Sequence, residues 1–479
     1  MNAGIAGTVL QKSRAGMLFL FARQLVVQGA NIVGLALIAR ALGPQEYGWF
    51  VSLNMLVILG ISLLGPSFAN ALVIAEKLPK LRQYGVIYTA QMAIAIAACL
   101  VFGLSWSVGA FDALDATVVS ASALVVASFL LMPRAAAGQA SLERELDFKF
   151  VAASDIAQCL TFNIVAVVLC HAGWGIAGCA IAFAARFVVA NLLLRHRREV
   201  KIASLREFKA NSRLVKSGFY LQSSTLVSAI KDSLNPIVVG LAVGSASVGL
   251  LSWAGMVAAY PSLLLFLLAR IYLPLFSRLR GDPAQLRDVV SAIVFWTNVF
   301  VACLAIPTLI YIDEITAFFF GTQWSAGVEY FYGFWFANLF VATVTPILAL
   351  MNALHKQRYV LVISVAWMAC TWLLGVPLSI FFGAWGFVAA NVITQLTNIW
   401  VIRHARSLVP FDLRSVGVVW LVSGLAALPL VALQLHFSVT GWQLIGVLGA
   451  SAALLLFVNF LTFHDRFVRA KNIVIGGVR

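Results

Sequence analysis

The stretch Val289-Val290-Ser291-Ala292-Ile293-Val294-Phe295-Trp296-Thr297-Asn298-Val299-Phe300-Val301-Ala302-Cys303-Leu304-Ala305-Ile306-Pro307-Thr308-Leu309-Ile310-Tyr311-Ile312 contains no charged residue. It is bounded by Arg287 and Asp288 on one side and by Asp313 and Glu314 on the other. At 1.5 Å per residue such a run, coiled as a helix, covers the roughly 30 Å hydrocarbon core of a bilayer. Only a helix or a closed barrel satisfies backbone polar groups in lipid. The alternating pattern of a barrel strand is absent, so the segment reads as a transmembrane helix.

Working outward, the same pattern fills the chain. About fourteen runs are long enough to cross: Gly16–Leu42, Gly48–Ala75, Val86–Ala110, Thr117–Gly138, Val151–Cys170, Gly175–Arg195, Lys216–Val243, Ala246–Tyr272, Val289–Ile312, Val328–Ala353, Val360–Phe382, Trp385–Ile402, Val416–Leu435 and Trp442–Phe463. The weakest cuts are the short turns at Phe382–Trp385 and Val243–Ala246. The 479 residues are 62% hydrophobic and 11% charged, with mean hydropathy +0.96. A soluble chain of this length has too little interior to hide that much apolar surface. The fold class is all-α, a polytopic integral membrane protein.

The charges orient it. Odd-numbered gaps between spans carry Glu46, Asp112, Asp115, Asp313, Glu314 and Glu329 and almost no Lys or Arg. Even-numbered gaps and both tails hold all but four of the 33 Lys and Arg. The positive-inside rule places that side, with the N- and C-termini, in the cytoplasm. The formal net charge of +15 is spread over short loops without interleaved aromatics. It therefore reads as topology and attraction to anionic membrane lipids, with no nucleic-acid partner. No cleavable signal peptide is expected, because the N-terminus runs into a span longer than a signal's apolar region.

Catalytic furniture is missing. No nucleotide-binding glycine motif or paired-histidine metal motif occurs. The outer loops are too short for a catalytic domain. The longest loop, about Arg195–Lys216, reads as a basic linker rather than a folded unit. The six histidines sit near membrane surfaces, and the six cysteines sit in or beside apolar runs as small buried hydrophobes. Cys170 and Cys179 flank one outer turn, a spacing that leaves pairing open. The expectation is a non-enzyme without cofactor or metal.

A faint repeat appears at a shift of about 201 residues. Ala41-Leu42-Gly43-Pro44-Gln45-Glu46-Tyr47-Gly48 aligns with Ala242-Val243-Gly244-Ser245-Ala246-Ser247-Val248-Gly249. Glycine at both corners suits a turn with positive φ. The repeat predicts two six-helix lobes, residues 1–208 and 209–405. Two appended C-terminal helices and a basic tail, 406–479, are left over.

The four basic residues outside the cytoplasmic set are Arg23, Arg40, Arg186 and Lys231. Arg40, at an outer helix end, can snorkel. The other three lie within spans 1, 6 and 7, where a charge costs roughly 2.5–3.5 kcal/mol at a helix centre on insertion scales. Helical spacing puts Ser224, Ser228, Lys231 and Asn235 on one stripe of span 7, with Asp232 beside it. Gln24, Gln28 and Asn31 form another stripe on span 1, with Arg23 at its edge. Span 12 has Asn391, Thr394 and Asn398. Such stripes are either helix–helix hydrogen-bond contacts or cavity linings. The adjoining basic groups favour a cavity for spans 1 and 7. Asp155 and Asp232 are candidates for coupling to a proton or cation, although burial beside a basic partner is the simpler account. Substrate-binding candidates are therefore Arg23, Lys231, Arg186, Gln28, Asn31, Ser228 and Asn235. A positively charged chamber points to an anionic cargo.

The segment Leu37-Ile38-Ala39-Arg40-Ala41-Leu42-Gly43-Pro44-Gln45-Glu46-Tyr47-Gly48 resembles the N-terminal signature of polysaccharide and O-antigen flippases of the multidrug/oligosaccharidyl-lipid/polysaccharide export superfamily. Leu142-Glu143-Arg144-Glu145-Leu146-Asp147-Phe148-Lys149, Arg270-Ile271-Tyr272-Leu273-Pro274-Leu275-Phe276-Ser277-Arg278-Leu279 and Phe320-Gly321-Thr322-Gln323-Trp324 are similar to further motifs of that family. The likeness spans roughly residues 10–405. It implies two lobes around a central cavity and transfer of an undecaprenyl-diphosphate-linked oligosaccharide from the inner to the outer leaflet of a bacterial plasma membrane. It implies alternating access, a diphosphate held by basic cavity residues, and Arg270 as a capture residue. A polysaccharide polymerase and chain-length machinery are the implied partners. The alternative for Arg186 is a pair with Asp155 on neighbouring span 5. Two alternatives stand beside this reading: a cation-coupled multidrug exporter, which calls for an acidic, aromatic-lined cavity, and a membrane polymerase or glycosyltransferase, which calls for a large outer loop.

Overall fold

Two glycines mark where long apolar helices change direction. The computed structural model describes residues 2–65, 81–145, 147–195, 202–216, 243–263, 265–436 and 441–464, with isolated positions between them. Among the described residues every regular element is helical. Eleven of these helices are long and apolar enough to cross a membrane. The count of fourteen expected from sequence exceeds this, partly because spans 1 and 2 are the two arms of one kinked helix and span 7 lies largely outside the described residues. The chain divides into two compact units, Met1–Val238 and Val239–Arg479.

In the first unit, α1 (Asn2–Leu64) bends at Gly43, whose φ of 72° and ψ of 173° place it where a β-carbon is disfavoured. Pro44 follows as the first residue of the second arm, a position where its missing N–H costs nothing. The far end of α1 is closed by Gln91. This fully buried side chain of α2 (Leu81–Ser107) donates to the Leu64 and Gly65 carbonyls at 2.9 and 3.0 Å. Terminal carbonyls buried in lipid need such partners.

Span 4 is two helices. α3 (Ala116–Ser128) starts at Asp115, which accepts the Thr117 N–H at 2.7 Å. A single 3-10 turn at Phe129–Leu131 leads into α4 (Met132–Arg144), with Pro133 in its first turn. The helix thus continues past the expected end at Gly138. α5 (Phe148–His171) is capped by Asp147, which accepts the Phe150 N–H at 3.2 Å, and α6 (Gly175–Arg195) completes the set. The motif at 142–149 is therefore a helix stop followed by a helix start, with Leu142 buried.

The loop read as a basic linker is ordered where described. Residues 202–216 contain α7 (Leu205–Ala210), opened by a capping box between Ser204 and Glu207. Ala203 N–H donates to Thr89 Oγ1 at 2.8 Å, Gln83 Nε2 donates to Asn211 Oδ1 at 3.2 Å, and Arg82 pairs with Glu207 at 3.5 Å. Phe208, Leu214 and Val215 pack against buried Tyr84 and Ile87. The expectation of an unfolded linker is corrected: this segment straps onto α2.

The second unit is built around α10 (Pro283–Ile310), with 67% of its most apolar stretch buried. Before it come α8 (Ser245–Ala259) and α9 (Leu265–Leu279); after it come α11 (Ser325–Asn338), α12 (Val341–Ala353), α13 (Gln357–Phe382), α14 (Ala384–Leu396) and α15 (Asn398–Leu408). α13, only 6% buried by the same measure, presents most of its surface outward, as a lipid-facing helix does. Gly244 precedes α8 with φ 82° and ψ 164°, nearly the conformation of Gly43. The two aligned corners share one backbone geometry. The Phe320–Trp324 motif is a buried aromatic knot: Trp324 stacks on Trp253 of α8 at 5.4 Å, and Phe320 meets the same ring edge-on at 5.5 Å.

α16 (Arg414–Ala426), α17 (Leu428–His436) and α18 (Gln443–Thr462) correspond to spans 13 and 14. They share a core with α10, in which Phe295, Val299 and Cys303 meet Val419, Leu430 and Leu455. Asn459 Nδ2 donates to Ser423 Oγ at 2.8 Å across it.

Candidate functional site

α1 and α5 run in the same direction, face to face, and their register builds the site. Arg23 meets Asp155, and eight residues further along each helix Asn31 meets Asn163. The spacing of four and eight residues keeps each set on one helix face. Asn31 Oδ1 accepts from Asn163 Nδ2 at 3.1 Å and from Cys159 Sγ at 3.3 Å. Asn163 sits over Gly34, where an added β-carbon would fall 1.8 Å from its Oδ1. Glycine is what allows this approach.

Asn31 is therefore engaged in helix–helix packing, the ordinary use of a buried amide in membranes. Arg23 Nη1 lies 2.5 Å from Asp155 Oδ2, with one fifth of the Arg23 side chain exposed. Its other terminal nitrogen lies 3.4 Å from Gln24 Oε1. Gln28 sits one turn further along, half-buried. Asp155 forms its ion pair with Arg23, which the α1–α5 register places beside it, while Arg186 lines the same cavity without a hydrogen bond to it.

Beyond that ion pair opens a cavity of about 220 Å³, between α4, α5, α6 and the end of α1. Arg186 of α6 and Asp155 line it, with Gln139 and Gln158. Arg186 Nε is buried and has no hydrogen-bond partner among the described residues. The two glutamine amides are engaged: Gln139 Nε2 donates to Glu143 Oε1 at 2.8 Å, and Gln158 Nε2 donates to Ser154 Oγ at 3.1 Å. Two basic side chains, Arg23 and Arg186, and two acidic ones, Asp155 and Glu143, gather around this cavity. A buried N–H without an acceptor, such as the Arg186 Nε, is costly, and an anionic oxygen entering the cavity would relieve it. The volume lies below the roughly 300–1,000 Å³ typical of sites that enclose a whole small ligand. It suits one small anionic group, such as a phosphate.

Ser228, Lys231, Asp232 and Asn235 fall outside the described residues, as does the side chain of Arg270, whose backbone lies in α9. Of the span 12 stripe, Asn398 donates to Gln395 Oε1 at 2.6 Å and Thr394 bonds back to the Ala390 carbonyl. Both contacts stay within one helical stretch. Cys170 and Cys179 are free thiols with sulfurs 3.4 Å apart. Among the described residues, no group of His, Cys, Asp and Glu is arranged to hold a metal ion.

The pair Gln139 and Glu143 was missed in the sequence. Their spacing of four, which puts both on one face of α4, was the available signal. The premature end assigned to span 4 hid it.

Residues 37–329 match the sequence profile of the family described as polysaccharide biosynthesis protein. Among curated sequences, none matches. Among solved structures, one titled lipid II flippase MurJ, inward closed conformation, superposes with a TM-score of 0.74 at 13% identity, covering 93% of this chain and 99% of that one. A multidrug resistance MATE family transporter, inward-facing, gives 0.57 at 14% identity, covering 80% and 95%. A transporter of the same superfamily from Pyrococcus furiosus, titled as having a binding pocket of reverse polarity, gives 0.52 at 12% identity, covering 82% and 96%. At these identities the likeness is one of fold.

Proposed function

We propose, from the premise that this chain belongs to the polysaccharide biosynthesis protein family, that it is a flippase for a lipid-linked oligosaccharide. The cargo is an undecaprenyl-diphosphate-linked oligosaccharide, moved from the inner to the outer leaflet of a bacterial plasma membrane for surface polysaccharide. The observation that carries this reading is the cavity of the first unit, where the buried Arg186 Nε lacks a partner beside the Arg23–Asp155 pair. In this reading the two arginines share the diphosphate while the lipid tail stays in the bilayer. Asp155 holds Arg23 in position when no substrate is present. Lys231, Arg270, Ser228 and Asn235 are proposed as further contacts, with Asp155 and Asp232 as candidates for ion coupling.

Structural relatives include a multidrug transporter, but the cavity here argues for an anion. Its one lining carboxylate, Asp155, is held by Arg23. The test is genetic and biochemical. Deleting the gene should leave lipid-linked oligosaccharide unextended on the inner leaflet and remove surface polysaccharide, with drug susceptibility unchanged. Increased susceptibility to cationic drugs with normal surface polysaccharide would favour the exporter and overturn the proposal.

A further inference from the structure

The second unit contains a cavity of about 600 Å³ that the first unit's site does not use. Its walls are apolar: Phe336 of α11, Phe340, Ile399 of α15 and Val416 of α16 line it. Ile399 and Phe336 are 40% and 42% exposed, so the cavity is walled by side chains that also reach the outer surface of the helices. Its polar floor is internally satisfied. Asn298 Oδ1 accepts from Trp420 Nε1 at 3.0 Å, and Asn298 Nδ2 donates to the Val294 carbonyl at 2.8 Å and to Thr343 Oγ1 at 3.0 Å. Ordered water needs two to four polar partners, and this floor has few left to offer.

Two arginines also line it. Arg403 and Arg406, in the last turns of α15, border the cavity and are exposed. Among the described residues neither makes a hydrogen bond or ion pair. The carboxylate of Asp412 caps the next helix, accepting the Arg414 and Ser415 N–H groups at 3.0 and 3.3 Å. The arrangement is an apolar slot with two unneutralised cations at its edge, at the end of a membrane-length helix. We infer that this is a binding site for an anionic phospholipid of the surrounding bilayer, one acyl chain in the slot and the headgroup phosphate on Arg403 and Arg406. The volume falls within the range of small-ligand pockets. Basic pockets between membrane helices characteristically take anionic headgroups. The occupant is a lipid of the bilayer rather than the transported carrier, and the inference does not depend on what the first unit's cavity binds.

The test uses the full-length protein in phosphatidylcholine vesicles containing a small fraction of photoactivatable phosphatidylglycerol, or photoactivatable phosphatidylcholine as the reference. Crosslinks are mapped by mass spectrometry. Label from phosphatidylglycerol should fall on α11, α15 and α16, exceeding that from phosphatidylcholine by between about fivefold, for one arginine, and about 25-fold, for two. High salt should erode this preference, because the arginines are exposed. R403Q/R406Q should reduce it to near parity while chain labelling persists. Gly417 lines the cavity, and a β-carbon added there meets nothing within 4 Å. Gly417→Phe should therefore fill the slot and abolish labelling by both lipids. Should R403Q/R406Q misfold, the salt titration of the wild-type protein decides alone. Equal labelling by both lipids in the wild type overturns the inference. So does displacement of the label by undecaprenyl phosphate but not by unlabelled phosphatidylglycerol.

Discussion

Asp155 accepts the Arg23 guanidinium at 2.5 Å, while Arg186 lines the cavity next to that carboxylate with its Nε unpartnered. Asp155 is committed to Arg23, and the buried Arg186 Nε is left without an acceptor among the described residues. A buried ion pair is weak evidence of stability but a good device for holding a side chain in place. Asp155→Asn is expected to destabilise the protein by about 1–3 kcal/mol, because Arg23 loses its charged partner. It should lower the melting temperature of the detergent-solubilised protein. Asp155→Glu should recover part of the loss. An unchanged melting temperature in Asp155→Asn would show that the pair does not hold the helices.

The α1–α5 contact gives a second expectation. Gly34→Ala forces a methyl against Asn163, at a cost of about 1–3 kcal/mol. Asn163→Ala in the same chain removes the obstacle, so the double variant should be more stable than the sum of the single effects implies. Additive melting shifts would contradict the packing described.

Gly386 lies in the first turn of α14 and packs against the end of α13. Its neighbour Gly383 has φ 60°, and a β-carbon on Gly386 would lie 1.9 Å from the Leu378 carbonyl oxygen. Here backbone meets backbone, so no side chain can yield. Gly386→Ala is expected to cost about 3 kcal/mol or more, exceeding the Gly34 variant. Thermal melts of the two variants side by side check the order.

The strap at 202–216 should respond to acid. The Ser204 backbone N–H, the Ser204 hydroxyl and then Arg82 hold the Glu207 carboxyl below its ordinary value of 4.5. A lowered folded-state value means the stabilisation is complete above about 4.5 and fades as pH falls through the depressed value. Amide exchange in 202–216 should therefore speed up below that pH. Ser204→Ala should speed it at neutral pH, by the roughly 1 kcal/mol a helix cap contributes. No acceleration in either case would remove the capping box from the account.

Much of the fold was legible because membrane helices must be long and apolar, and glycine marks most of their sharp corners, with His355 at positive φ between α12 and α13 as an exception. The Gly43 and Gly244 corners were readable from one alignment, and both adopt positive φ. The turn at 382–385, the weakest cut in the sequence, is made by Gly383. Pairings were less legible. The register that sets Arg23 on Asp155 depends on Gly34 admitting Asn163, a contact 129 positions apart in numbering that no local period encodes. The stripe of span 1 looked like one polar face, yet Arg23 and Asn31 meet α5 at different depths for different reasons. The strap was missed although Ser204-Leu205-Arg206-Glu207 is a capping-box pattern, because its basic charge dominated the reading of that loop.

The central claim, that Arg186 and Arg23 hold a lipid-linked diphosphate, is tested most directly by binding to purified protein. Titrating undecaprenyl diphosphate into wild type, Arg186→Gln and Arg23→Gln, each confirmed as folded by a cooperative melt above the assay temperature, measures the site itself. A charge-assisted contact contributes about 1.5–3 kcal/mol, so each variant is expected to bind roughly 10- to 150-fold more weakly, with affinity for undecaprenol unaffected. Wild-type affinity in both variants would contradict the account.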